Sequence, residues 1–282
     1  MSTLKSIVAL ALLLPSLAFA KQEAEQFEVN KYSDANFVLV GKNYGTNVVV
    51  ILGDKGLLLI DPMPGESSLD NLHVLIKDIS NTPILYVVNT HNHEDHTGGN
   101  EYFNNNGATI LDQNSTLLKS DSDDKKPLLS KSFGLEIIKV KSHTNQDDLY
   151  FHSESNVLFV GDVFDNSWHP TFYAGGIDGF TDTIGKILAT GDENTLIVPG
   201  HGSPANKEVV DAFYDNTLVW LERVSELHKD KVSVEEMMKD NQINEILQRF
   251  NTKKSEEFIP PKAFRRFIER TVSIVSSNLT DL

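Results

Sequence analysis

Thr90-His91-Asn92-His93-Glu94-Asp95-His96-Thr97-Gly98-Gly99 is the stretch on which the reading of this chain turns. It packs three imidazoles and two carboxylates into six residues. Directly before it runs Pro83-Ile84-Leu85-Tyr86-Val87-Val88-Asn89, continuously apolar and of strand length, which reads as a buried strand. In a turn after a strand, His91 and His93 point one way and Asp95 and His96 another, so one loop can serve two neighbouring metal ions. Imidazole and carboxylate are the ligands that suit zinc where no thiolate is available, and the chain has no cysteine. By chance, H-x-H-x-D-H arises in about one chain in a thousand of this length. A solvated polar loop with a chance histidine cluster does not explain it.

Upstream of this stretch, Phe37 to Val40, Asn47 to Leu52 and Gly56 to Ile60 read as strands of an antiparallel meander that ends at Asp61-Pro62. Leu69, Leu72, Leu75, Ile76 and Ile79 then share one helical face, with Ser67 or Ser68 as the cap. Downstream, strands are expected at 109–111, 135–140, 149–151, 157–160 and 195–198. Helices are expected at 115–120 and 181–190, and a polar loop at 121–132. From Lys207 onward the pattern is helical, with one long amphipathic helix marked by Val210, Phe213, Leu218, Leu221 and Val224. Shorter helices follow at 234–239, 243–250 and 262–276. The alternation in two halves indicates an α/β fold, a mixed sheet sandwich covered by helices.

Bulk properties narrow the function. With 25 basic and 40 acidic residues the formal charge is −15, which opposes binding to nucleic acid or anionic lipid. Lys5, the apolar run Ile7 to Leu14 and Ala18-Phe19-Ala20 form a signal peptide over residues 1–20. The mature chain, 21–282, is then periplasmic or secreted and keeps no stable membrane anchor. Without cysteine there is no disulfide, no thiol nucleophile and no sulfur ligand, so any metal sits on nitrogen and oxygen. No G-x-S-x-G elbow is present, which removes the centre of a serine hydrolase.

The H-x-H-x-D-H stretch resembles the metal-binding loop of the metallo-β-lactamase superfamily, and four further motifs follow the order of that family. Asp61 closes a strand and resembles the aspartate that supports the metal loop from behind. His143, in Lys141-Ser142-His143-Thr144, resembles the third histidine of the first metal. Asp162, in Phe159-Val160-Gly161-Asp162, resembles the carboxylate shared by two metals. His201, in Pro199-Gly200-His201-Gly202, resembles the last ligand of the second. The resemblance spans roughly 36–205. It implies a four-layer αββα sandwich with extra C-terminal helices over about 207–282. It also implies two zinc ions per chain, with iron or manganese as alternatives. The first would be held by His91, His93 and His143, the second by Asp95, His96 and His201, with Asp162 common to both.

The implied activity is metal-dependent hydrolysis of a small molecule: a metal-bridging hydroxide attacks the carbonyl of an ester, lactone, thioester or cyclic amide, with Asp95 orienting it. Two rivals remain: a metallo-β-lactamase, and an iron-dependent sulfur or persulfide dioxygenase. β-Lactamases of this family with a cysteine at the Asp162 position carry a lysine three residues later to grip the substrate carboxylate. Here that position is Asp165, a repelling charge. Trp168, His169 and Tyr173 follow closely and are candidates for a substrate pocket, as is the hairpin Gly41 to Thr46 for its rim.

Overall fold

A computed structural model describes residues 27–41, 45–63, 68–112, 115, 128–166 and 168–280. The signal peptide, most of the expected helix at 115–120 and the middle of the 41–46 hairpin lie outside the described residues. Valine-, leucine- and isoleucine-rich segments form β2 (Asn36–Gly41), β3 (Val48–Gly53), β4 (Gly56–Ile60) and β5 (Ile84–Val88), joined by the more polar β1 (Phe27–Lys31) and the short β6 (Thr109–Ile110). They pair in that order as a six-stranded sheet, antiparallel from β1 to β4 and parallel from β4 to β6. β7 (Leu135–Val140), β8 (Asp147–His152), β9 (Val157–Gly161) and β10 (Leu196–Pro199) form a second sheet in the order β10-β9-β8-β7.

The expected meander is therefore present, with β1 as an added edge strand that the sequence pattern did not mark. The helices are α1 (Leu69–Ile79), α2 (Glu94–Thr97), α3 (Asn100–Asn105), α4 (Leu128–Phe133), α5 (Gly176–Ala189), α6 (Lys207–Lys229), α7 (Val234–Met237), α8 (Asn241–Arg249) and α9 (Pro261–Thr280). The polar loop expected over 121–132 is corrected at its end by α4, whose Leu129 and Phe133 are buried against the first sheet's inner face. Six residues are too few for a helical period to stand out.

Alternation along the strands builds four layers. Val49, Ile51, Leu58 and Ile60 meet Tyr150, Val157, Phe159 and Val198 in one core between the two sheets. Their strand neighbours Val48, Val50, Leu57 and Leu59 face the other way, onto Leu72 and Ile76 of α1 and Phe103 of α3. On the far side of the second sheet, Leu149, Leu158, Val160 and Ile197 pack under α5, α6, α8 and α9. The inner strands β3, β4 and β9 are thus buried on both faces, which is why they read as continuous apolar runs. This is an α/β fold with helices on the outside of two sheets and additional helices at the C-terminus. No helix among the described residues is long and apolar enough to cross a membrane.

Candidate metal centre

The sequence motifs converge where the strands end. β5 stops at Val88 and the chain turns into His91 to His96. β9 stops at Gly161 and delivers Asp162, and β10 stops at Pro199 and delivers His201. Parallel pairing of β9 with β10 puts those two ends side by side. The left-handed φ of +56° at Gly161 aims Asp162, and a Cβ there would lie 2.4 Å from Thr90 Oγ1. Gly200 is equally confined, since a Cβ would meet Asp162 Oδ1 at 2.1 Å.

Two overlapping groups result: His91, His93, His143 and Asp162, and Asp95, His96, Asp162 and His201, each with its ligand atoms within 4.8 Å of one another. In the first, His93 Nδ1 stands 3.1 Å from His91 Nε2 and 2.9 Å from His143 Nε2. In the second, His96 Nε2 and His201 Nε2 lie 3.2 and 3.6 Å from Asp162 Oδ1, and His201 Nε2 lies 3.3 Å from Asp95 Oδ2. Asp162 faces both, since its Oδ2 is 3.7 Å from His143 Nε2. His96 Nε2 and Asp162 Oδ1 are buried and face each other at 3.2 Å without a well-directed hydrogen bond to any group. Buried polar atoms left that way are rare and costly, whereas a cation between them satisfies both. Nitrogen and carboxylate oxygen donors so spaced fit zinc or a similar divalent ion.

Outer contacts fix the rings. Asp61 Oδ2 accepts from His96 Nδ1 at 2.9 Å, while its two oxygens also accept from Thr90 N and Oγ1 at 2.8 and 2.6 Å. Asp61 itself holds a left-handed φ of +52°, uncommon outside glycine. His143 Nδ1 lies 2.8 Å from Thr171 Oγ1 and 3.1 Å from its carbonyl, and that hydroxyl donates to the Asp162 carbonyl at 2.9 Å. Asp147 accepts from the backbone N–H groups of Ser142 and Thr144 and so shapes the His143 turn. Asn47 Nδ2 donates to the Pro199 and Gly202 carbonyls at 2.9 and 2.8 Å, clamping the His201 loop. Sequence reasoning did not assign Thr171, Asp147 or Asn47. Asp147 alone carried a local signal, a short polar residue four positions after His143 in a turn.

The electrostatics divide the histidines. Burial, aided by the charge of His96, pushes the His91 imidazole down to about 3. Burial also works against a proton on His96, but Asp162 and Asp61 outweigh it and hold that imidazole well above its usual value. The same competition lifts His201 to about 9, through its hydrogen bond to Asp95 and the charge of Asp162. Asp95 drops to about 2 because His201 donates to it. Carboxylates thus favour positive charge at the second group.

A cavity of about 560 Å³ opens over the second group and is lined by Asp95, Asp162, His201, Asp165 and Trp168. His169 and Tyr173 are placed elsewhere. His169 is 5% exposed and stacks on Phe267 of α9 at 4.1 Å, and Tyr173 lies under the Arg270 guanidinium at 4.0 Å. The remaining histidines bond locally: His73 with Tyr102, His152 with Ser155, and His228 with Ser276.

Helices outside two sheets, with carboxylates and imidazoles converging at the strand ends, make a candidate metal centre, and similarity to metal-dependent hydrolases marks the chain as such an enzyme. The model of the metallo-beta-lactamase superfamily matches residues 41–110. The chain is 28% identical over 186 residues to the metallo-beta-lactamase IND-1 of Chryseobacterium indologenes, covering 58% of this chain and 74% of that one. It is 29% identical over 153 residues to a hydroxyacylglutathione hydrolase of Polaromonas sp., covering 51% and 56% respectively. Among solved structures, the DIM-1 metallo-beta-lactamase matches with a TM-score of 0.54 at 19% identity, over 67% of this chain and 96% of its own. The metallo-beta-lactamase FIM-1 from Pseudomonas aeruginosa, in its mono-zinc form, matches with a TM-score of 0.56 at 18% identity, over 67% and 93%.

Proposed function

We propose that this chain is an exported zinc hydrolase that holds two metal ions and cleaves a small neutral ester or lactone. The observation that carries the proposal is Asp162, whose two oxygens face the two ligand groups. In this reading His91, His93 and His143 hold the first ion and Asp95, His96 and His201 the second, with Asp162 shared. Asp61 supports His96 from behind. The residues from about Lys21 form one catalytic domain whose last part, from 207, is helical.

Two such ions supply a nucleophile of lowered pKa and a Lewis acid for the carbonyl. The chain does the positioning. Asp61 and Thr171 occupy the outer nitrogens of His96 and His143 and leave the inner ones free to bind. Asp95, with its side chain 57% exposed, is the ligand candidate most open to the cavity and orients the attacking water there. Asp165 lines the same cavity and disfavours a substrate carboxylate.

β-Lactam hydrolysis is the second reading, favoured by the likeness to IND-1. Metal analysis combined with a hydrolysis panel separates them. We expect about two zinc ions per chain and a higher kcat/KM on neutral aryl esters and lactones than on penicillins or carbapenems. Asp165→Lys narrows that gap by about 1 kcal/mol, the value of a partly screened charge. A preference for β-lactams makes the protein a β-lactamase, and a single metal unmoved by added zinc removes the two-metal reading.

A further inference from the structure

The cavity over the metal groups has two walls of different origin. One is Asp95, Asp162, Asp165, Trp168 and His201 from the loops at the strand ends. The other comes from the connection between α8 and α9 and includes Lys253, Glu257, Phe258 and Pro260. The DIM-1 and FIM-1 structures match over 96% and 93% of their own lengths but over only 67% of this chain. The second wall thus belongs to the chain's C-terminal helical part.

That wall is built, not draped. Asn251 and Ser255 close a ring, with Nδ2 donating to the Ser255 carbonyl and Ser255 N–H donating to Oδ1, both at 2.9 Å. Thr252 donates to the carbonyl of Asn166, tying the connection to the loop that carries Asp165. Phe258 belongs to the core beneath and meets Trp168 edge to face, ring centroids 5.7 Å apart. Aromatic rings from two chain segments, each already ordered, offer apolar surface that loses little entropy when it is covered. The charges beside them are Asp165, Glu257 and Lys253, so the cavity outside the ligand groups is acidic by one.

We propose that Phe258 and Trp168 form an aryl-binding subsite, so that the C-terminal connection selects substrates carrying an aromatic group beside the scissile ester. This rests on the hydrolase reading and names the substrate class for that same cavity. Phe258 and Trp168 are specificity residues. The acidic surround favours an uncharged aryl group over a carboxylate-bearing one.

Four alkyl-type esters followed by proton release test this on the zinc-loaded enzyme: ethyl acetate, ethyl phenylacetate, benzyl acetate and monoethyl succinate. One or both aryl esters should exceed ethyl acetate about tenfold in kcat/KM, the usual scale of apolar-pocket discrimination. Phe258→Leu and Trp168→Phe should each shrink that ratio severalfold with zinc content unchanged. An aryl advantage that survives both variants overturns the subsite. So does a Lys253→Ala variant that selectively depresses monoethyl succinate while the Phe258→Leu ratio stays put, because the wall then selects charge. A second readout is independent of catalysis. Phenylacetamide should quench tryptophan fluorescence saturably, and Phe258→Ala should weaken that binding. Saturable quenching with no ester hydrolysis leaves the subsite standing and removes esters as the substrate class. Absence of saturable quenching removes the subsite whatever the esters do.

Discussion

The segment from Asp162 to Tyr173 has two faces, and each buries histidine against it in a different way. Toward the ligand groups, His96 is wholly buried between the carboxylates of Asp61 and Asp162, which hold a proton on it. Toward α9, His169 is 5% exposed and stacked on Phe267, whose other side stacks on Trp220 at 4.2 Å. Burial holds the His169 imidazole down to about 4, with Arg270 and Arg266 adding to it and the hydrogen bond to the Pro170 carbonyl opposing it. Similar burial therefore gives a ring framed by two carboxylates, where a cation can replace the proton, on one face and a neutral packing ring on the other. What marks a site is the convergence of carboxylates, not concealment from water.

Asp162→Ala should produce the largest effect, because this residue alone belongs to both groups. Activity should fall by more than about 100-fold, since even outer-shell partners of a metal cost 10–100-fold, and metal analysis should show both sites depleted. A variant that kept its full metal would break the distinction between the faces. On the opposite face, Phe267→Ala should cost about 3–5 kcal/mol of stability, read by denaturant unfolding, with metal content retained in the folded fraction. Selective loss of one metal from that variant would show that the aromatic face does more than support.

His169 gives the comparison a pH axis. Its folded value of about 4 lies below the ordinary value of about 6.5. Between these values the unfolded chain binds a proton that the folded chain refuses, so stability falls as pH drops through the window. The loss approaches about 3 kcal/mol at its acid end. In His169→Phe this contribution is absent, and the stability of wild type relative to the variant should decline between pH 7 and 4.5. Parallel acid losses in the two proteins would mean that His169 is not held neutral. The finest distinction is within the metal face. Asp61→Asn should weaken metal binding about 10–100-fold at the second group through His96, and Thr171→Val should do so at the first through His143. The spectrum of the cobalt-substituted variants separates the two, and an interchange of the affected sites would undo the proposed ligand sets.

Much of the candidate centre was legible because its candidate ligands are dense in sequence. His91 to His96 announce themselves locally, and Asp162 and His201 stand at the ends of apolar runs where parallel strands deliver their loops to one edge. The supporting residues were not legible for an equally physical reason. Thr171 acts through one hydroxyl that bridges His143 and the Asp162 carbonyl. Asn47 acts on carbonyls 152 and 155 residues away. Neither contact leaves a periodicity or a composition signal.

The sequence by itself determined the chemistry: no sulfur ligand, imidazoles and carboxylates at fixed spacings, and strand-like runs placed directly before them. Those features follow from residue type and local period, which need no long-range information. Only the tertiary structure decided that Trp168 faces the cavity while His169 and Tyr173 turn toward α9. Only it showed that a connection some ninety residues beyond Asp162 closes the far wall. Neighbouring side chains of one irregular segment have no strict alternation, so their directions are set by what packs against them, here Phe267, Arg270 and Phe258.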